Sequence, residues 1–287
     1  MKKKMTPYLL LVPQLLLGSI FVIGLLTGII QSLGVIPAFG LTEPTFDYYK
    51  EVLTRPDTLQ SLKYSLYIAF VSAFFATVVG VFFCAVLVSK NKTKGGVVRA
   101  VQLPIIVPHV VVALFVVNIL SQNGVLARIC AQLGFITDQQ QFPMLLYDQN
   151  GFGVIIAYLW KEIPFIVYFV IALMANINGS LGEAAINLGA NKFQAFMKVT
   201  LPLCMNTILS GFLIVFVFAL GAYELPFILG ATTPKALPVL AYIEYSKPDL
   251  LARPYAMAIN GIIIIVSLLS AVIYYILLNR STKKLAG

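Results

Sequence analysis

Long apolar stretches constrain the fold of this chain of 287 residues more than any other feature. After Lys4, for instance, no charged residue occurs until Glu43. A helix of about 20 mostly apolar residues is long enough to span the hydrocarbon core of a bilayer. The stretches predict an all-α integral membrane protein with six transmembrane helices, at about 7–31, 65–88, 101–120, 152–175, 208–227 and 255–278.

The composition supports this class. Hydrophobic residues make up 60% of the chain and charged residues only 11%, whereas soluble domains contain about 45–50% apolar and about 25% charged residues. Disordered chains and coiled coils are excluded on the same grounds. The Lys-rich start followed by an apolar run also suggests a secretory signal, but this run is longer than the 7–15 apolar residues typical of one. We therefore expect a retained first helix.

Charge is distributed unevenly between the two sides that six spans define. One side carries a single acid, Glu183, and the other has seven basic against nine acidic residues. Because basic residues concentrate on the cytoplasmic side, both termini are predicted to be cytoplasmic. The net charge of +9 does not form a patch that would predict nucleic-acid binding. The basic residues of the first side are Lys2, Lys3, Lys4, Lys90, Lys92, Lys94, Arg99, Lys192, Lys198, Arg280, Lys283 and Lys284.

No motif predicts catalysis by this chain. The sequence lacks the phosphate-binding loop, the metalloprotease motif and the nucleophile elbow, so nucleotide hydrolysis would require another polypeptide. Cys84, Cys130 and Cys204 lack metal-ligand spacing, and no metal site is expected. Only Cys130 is predicted outside, so no intramolecular disulfide is expected.

The segment at about 178–202, between the fourth and fifth spans, predicts two short amphipathic helices. Gly189 suits the left-handed residue that ends the first helix, and Pro202 predicts a break before the fifth span. Two pairs have the spacing of a capping box, Ser180 with Glu183 and Asn191 with Gln194.

This segment resembles the EAA motif of the membrane subunits of binding-protein-dependent ABC importers. The resemblance is carried by Glu183-Ala184-Ala185, Gly189, Val199 and Leu201-Pro202, with Val199 where the family has Ile. It implies a type I (MetI-like) permease fold in a single domain, 1–287, and a cytoplasmic coupling loop that docks on an ATPase. The residues implied at that contact are Glu183, Ala184, Ala185, Gly189, Ala190, Asn191 and Lys192.

The same resemblance implies partners. These are two ABC ATPase subunits that hold ATP and Mg, a second permease subunit, expected to be a paralogue, and an extracytoplasmic solute-binding protein, all at a bacterial cytoplasmic membrane. No cofactor is expected in this chain, and no nucleic acid is expected as a partner. Three further stretches resemble the spermidine and putrescine branch, which grades into permeases for ferric iron, thiamine, phosphonates and sugar phosphates. They are Gly221–Pro226, Pro234–Val239 and Arg253–Ala258.

Lys161 and Glu162 lie about ten residues into the fourth span. Ionisable groups at that depth usually face a bundle interior or a water-filled cavity. Pro164 removes the helical donor for the Trp160 carbonyl, which predicts a locally opened helix lining a transport path. The alternative is that both charges only pair with neighbouring helices. The tentative pathway residues are Tyr158, Trp160, Lys161, Glu162, Tyr223 and Glu224.

Pro104 and Pro108 predict a kinked or broken third span. We expect His109 to donate to one of the carbonyls freed there, in preference to acting as a proton relay. The acids along the entry route favour a small organic cation such as putrescine or spermidine, whereas a cavity-facing Lys161 would favour a phosphonate or sugar phosphate. An ion-coupled secondary transporter acting alone is the main alternative of another class, and a membrane-embedded enzyme comes third.

Overall fold

The computed structural model of the chain is built from helices joined by turns and by longer loops, such as residues 133–151 between the sixth and seventh helices. It describes the backbone of residues 2–286 and the side chains of residues 10–276 and Leu278. Single π-helical turns, Asn178–Gly182 and Phe196–Thr200, flank the eighth and ninth helices. The helices are α1 Lys2–Ser32, α2 Asp47–Thr54, α3 Pro56–Ser89, α4 Gly96–Ile106, α5 His109–Leu120, α6 Val125–Gln132, α7 Phe152–Ile177, α8 Glu183–Asn187, α9 Lys192–Ala195, α10 Leu201–Gly221, α11 Glu224–Leu229, α12 Leu237–Tyr245 and α13 Arg253–Ala286.

Six apolar segments within residues 2–286 are long enough to cross a bilayer, which confirms the all-α, six-span prediction. The first and sixth segments match their predicted bounds to within about five residues. The fourth begins at the predicted residue but extends to Asn187 instead of ending at 175. The second begins about nine residues earlier than predicted. The segments are Leu10–Ser32, Pro56–Ser89, His109–Gln132, Phe152–Asn187, Lys192–Gly221 and Leu250–Ile276.

The predicted third span, 101–120, is wrong as a single helix. Helix α4 ends at Ile106 and α5 begins at His109. Between them Val107 is extended, with ψ at 129°, because the ring of Pro108 disfavours helical geometry in the residue before it. The expected break is therefore confirmed, and it separates two helices completely.

The predicted fifth span, 208–227, is also wrong at both ends. Helix α10 already begins at Leu201 and ends at Gly221, because Ala222 is extended with ψ at 135°. The remaining residues form the separate short helix α11. Pro202 makes no break: the π-helical turn Phe196–Thr200 leads into α10 at Leu201 without a gap, so the helical backbone continues through the proline.

The predicted opening of the fourth span at Pro164 is wrong as well. Helix α7 continues through Pro164 without interruption, and the proline is buried. Prolines within membrane helices are tolerated where neighbouring helices support the backbone. Here α7 packs against both α4 and α10.

The chain divides into two compact units, the first comprising the chain up to Leu59 together with Leu240–Ile265. In this unit the Ser32 hydroxyl lies 2.8 Å from that of Tyr49. Arg55 donates to Glu51 at 2.7 Å and also pairs with buried Glu244 at 3.5 Å. These polar contacts join α2 to the end of α1 through Ser32, and the residue after α2, Arg55, to Glu244 on α12.

The second unit comprises Gln60–Val239 and the chain from Val266 onward, and α7 supplies much of its core. Ile166 on α7 is fully buried against two glycines. A Cβ added to Gly80 on α3 would lie 2.7 Å from the Ile166 side chain, and one on Gly211 of α10 would lie 3.0 Å from it. Both glycines therefore permit close helix packing.

Candidate functional site

The segment between α7 and α10 forms two short helices, α8 and α9, separated by a turn. Gly189 in that turn has φ at +97°, a left-handed conformation that glycine adopts without steric cost. The side chain of Asn191 accepts the Gln194 N–H at 2.8 Å, and the Gln194 side chain accepts the Asn191 N–H at 3.1 Å. The predicted helix end and second capping box are thus confirmed.

The other predicted capping box, Ser180 with Glu183, is wrong. The π-helical turn joins α7 to α8 without a gap, so α8 has no free N-terminus to cap. The Ser180 hydroxyl instead donates to the Asn176 carbonyl at 2.9 Å. Sequence spacing alone does not distinguish a cap from a continuous helix.

The surface of α8, α9 and their turn combines small, apolar and charged groups. Leu188 is 90% exposed and Phe193 is 72% exposed. Next to them a groove of about 430 Å³ is bordered by Glu183, Lys192 and Phe193. The seven residues predicted to contact an ATPase therefore lie on one short segment, where Ala185 and Ala190 are half-buried and the others exposed.

Inside the second unit, Lys161 is satisfied by backbone carbonyls. Its Nζ donates to the Ile105 carbonyl at 3.3 Å and to the Val107 carbonyl at 2.5 Å. Both acceptors lie where α4 ends, so the break before Pro108 has released them from helical bonding. The expectation that His109 supplies this donor is therefore wrong.

His109 instead faces an acid. Its Nδ1 lies 3.3 Å from Oε2 of Glu224, and its ring stacks on Phe218 at a centroid distance of 5.4 Å. The pairing could not be predicted from sequence, because 115 positions separate the partners. The only sequence signal near His109 was the predicted proline break, which indicated an irregular part of the third span but not the contact with Glu224.

Glu162 is buried, with only 3% of its surface exposed. Neither of its carboxylate oxygens accepts a hydrogen bond from the described residues, although the buried Ser72 lies close to it. Glu162 borders a cavity of about 230 Å³ together with Lys161 and His109. Apolar side chains complete the lining: Ile105, Phe165, Ile214, Val215 and Phe218.

The other tentative pathway residues lie elsewhere. Tyr158 is fully buried, and its hydroxyl donates to the Ala219 carbonyl at 3.3 Å. Trp160 borders a separate apolar groove of about 290 Å³. Tyr223 stacks on Phe227 at 4.9 Å. The structure thus gathers Lys161 and Glu162 around one cavity, with Glu224 joined to it through His109.

Among the described residues no group of three or more His, Cys, Asp or Glu side chains could hold a metal ion. The three cysteines are free, and Cys84 and Cys204 are buried. Six apolar spans, an exposed two-helix segment and polar groups around an intramembrane cavity define a multi-pass membrane protein of the transport type.

Residues 76–284 match the family described as "Binding-protein-dependent transport system inner membrane component", and the chain belongs to this family. The chain is 24% identical over 248 residues to the sulfate transport system permease protein CysT of Salmonella typhimurium, covering 86% of each chain. It is 28% identical over 198 residues to a probable molybdenum ABC transporter permease of Haloferax volcanii, covering 67% of this chain and 68% of that one.

A solved structure shares the fold. A bacterial alginate ABC transporter, crystallised with an alginate pentasaccharide-bound periplasmic protein, superposes with a TM-score of 0.74 at 21% identity, covering 95% of this chain and 93% of the other. The predicted importer-permease fold is confirmed, and the chain is a permease subunit of an ABC importer. Family membership favours this class over a secondary transporter acting alone. The two relatives are named for sulfate and molybdenum, so the resemblance to a polyamine branch gains no support from them.

Proposed function

We propose that this chain is the translocation subunit for a small inorganic oxyanion, such as sulfate or molybdate, and that two partner ATPase subunits drive its import. The observation that carries the coupling is the exposed α8–α9 segment, which places the EAA-like residues around Gly189 on an accessible surface. On one side of the glycine turn α8 continues from α7, and on the other α9 is capped by Asn191, so a displacement of the turn would pass into the spanning helices.

The remaining partners follow from the family. We expect a second permease subunit, a paralogue of this chain, and an extracytoplasmic binding protein that delivers the solute. ATP and Mg would bind the ATPase subunits. The charge distribution supports a bacterial cytoplasmic membrane with both termini inside.

Two observations favour an anionic substrate. The relatives described above are named for sulfate and molybdenum transport. In addition, Lys161 is held at the cavity by two backbone carbonyls, so its positive charge is fixed there. A polyamine such as putrescine or spermidine is the second candidate, because Glu162 borders the same cavity and Glu224 lies beside His109.

Reconstitution of the complete transporter tests the proposal. The chain would be co-expressed with a candidate partner permease, ATPase and binding protein from the same genome, and uptake of ³⁵S-sulfate into proteoliposomes would be measured with and without ATP. We expect ATP-dependent uptake that molybdate inhibits and putrescine does not. An ATPase variant without its phosphate-binding lysine is the control. Putrescine uptake without sulfate uptake would replace the oxyanion with the organic cation.

A further inference from the structure

The break between α4 and α5 brings two helix ends of opposite polarity together. Carbonyls at the end of α4 carry partial negative charge, and the free N–H groups at the start of α5 carry partial positive charge. Lys161 compensates the carbonyl end. The residue that precedes α5 is Pro108, whose side chain cannot cap the first N–H groups of the helix. Transporters commonly direct such broken-helix N-termini at anionic substrates.

Two side chains that can donate hydrogen bonds are held in place at this point. An ammonium group has three donors, and Lys161 uses two of them on the Ile105 and Val107 carbonyls, which leaves one. His109 is the first residue of α5, and its ring is held against Phe218. Both residues border the cavity of about 230 Å³, which is several times the roughly 30 Å³ of a water molecule.

A carboxylate already faces this pair. Glu224 lies 3.3 Å from His109, its side chain is 53% exposed, and it lies within electrostatic range of Lys161. Glu224 is the first residue of the six-residue helix α11, which follows the extended Ala222. The carboxylate of Glu224 is therefore the more exposed group, on a short helix, whereas the side chains of Lys161 and His109 are anchored.

We propose that His109, Lys161 and the start of α5 form an oxyanion-binding site in the translocation path, and that the Glu224 carboxylate covers this site until the transported anion displaces it. The inference rests on the proposed function, and it names the residues that would bind the oxyanion substrate. A small tetrahedral oxyanion such as sulfate would accept hydrogen bonds from the same donors that Glu224 now faces.

Glu162 has a separate part in this arrangement. It is a buried carboxyl group that borders the same cavity, and it adds no positive charge that would hold an anion there. A transport site must bind its substrate weakly enough to release it. The buried acid beside the anchored lysine therefore favours release over storage.

The test uses the assembled permease–ATPase complex in nanodiscs without the binding protein, with ³⁵S-sulfate as the probe and putrescine as a competitor. Glu224→Gln removes the competing charge with little change in shape, and we expect sulfate to bind about tenfold more tightly than to the unmodified complex. Glu43→Gln, an exposed acid in the other unit, is the control and should bind as the unmodified complex does. Lys161→Gln should lose binding in the Glu224→Gln background.

Equal sulfate binding with and without Glu224→Gln would overturn the proposal, as would tight putrescine binding that Glu224→Gln abolishes. ATP hydrolysis by each complex is measured in parallel. A chain that fails to assemble with the ATPase refutes the proposed function itself. A complex that assembles and hydrolyses ATP but shows no gain in sulfate binding refutes only the assignment of this site.

Discussion

Lys161 is a charged residue within a membrane span that is satisfied by backbone carbonyls rather than by an acid. Lys161→Met would keep an apolar stem of similar length and remove both donors to Ile105 and Val107. A buried acceptor left without a partner costs about 1–3 kcal/mol. Ile105 and Val107 are half-buried, so we expect the free energy of unfolding to fall by about 1 kcal/mol, the lower end of that range. Thermal unfolding of the purified chain in detergent measures the change. Lys63→Met, at an exposed position, is the control. An unchanged melting temperature for Lys161→Met would show that Lys161 does not stabilise the backbone between α4 and α5.

Glu51 provides a pH-dependent contact outside the membrane spans. Hydrogen bonds from Arg55 and then from Tyr255 lower the pKa of its carboxyl below the usual 4.5. A lowered carboxyl pKa stabilises the folded state above the unfolded value, and this contribution is lost as the pH falls through the folded value. The melting temperature of the unmodified chain should therefore exceed that of Glu51→Gln at neutral pH. The difference should disappear as the pH falls below about 4.5, and a difference that persists or grows in acid would contradict the assignment.

At the scale of elements, Gly189 tests the coupling segment. A side chain at this position meets no atom of the chain within 4 Å, yet φ is +97°, so Gly189→Ala strains the turn by about 1–2 kcal/mol. Gly179 also has open space but lacks the positive φ, and Gly179→Ala is thus a matched control. We expect co-purification of the ATPase to fall for Gly189→Ala and to stay normal for Gly179→Ala. Normal assembly and uptake in the Gly189 variant would contradict docking at this turn.

The same scale shows what sequence can predict. Long apolar runs identified six spans, and the glycine turn with its Asn191–Gln194 box was evident because these signals depend on neighbours in sequence. The effect of a proline on a helix could not be predicted from sequence: Pro108 separates two helices, whereas Pro164 is accommodated within α7. The difference depends on packing against other helices, which one sequence does not reveal.

The candidate site shows the same division. Lys161 and Glu162 could be recognised from sequence as candidate site residues because ionisable residues are rare within spans. Their partners could not be inferred from sequence. Lys161 binds backbone carbonyls, which every residue has, and these two are free of helical hydrogen bonds only because α4 ends there. His109 and Glu224 meet through the tertiary fold. Sequence thus located the polar groups, and the fold determined which of them interact.

At the scale of the whole molecule, membrane orientation remains a prediction from charge. The strongly basic side includes exposed Lys92, and the opposite side includes half-buried Cys130. The positive-inside rule places Lys92 in the cytoplasm and Cys130 outside. Buried Cys84 and Cys204 are unsuitable reporters, because a labelling reagent would fail to reach them from either side.

Membrane-impermeant thiol labelling of spheroplasts decides the orientation. We expect Cys130 to be labelled in the unmodified chain, and Lys92→Cys in a Cys130→Ala background to be labelled only after the membrane is permeabilised. Gln139→Cys in the same background, at an exposed position near Cys130 in sequence, is the matched control and should be labelled without permeabilisation. Because Lys92 and Gln139 are both exposed, a difference between them reports the side of the membrane rather than burial. Labelling of Lys92→Cys in sealed spheroplasts, with Gln139→Cys protected, would reverse the topology and place the α8–α9 segment on the side away from any ATPase.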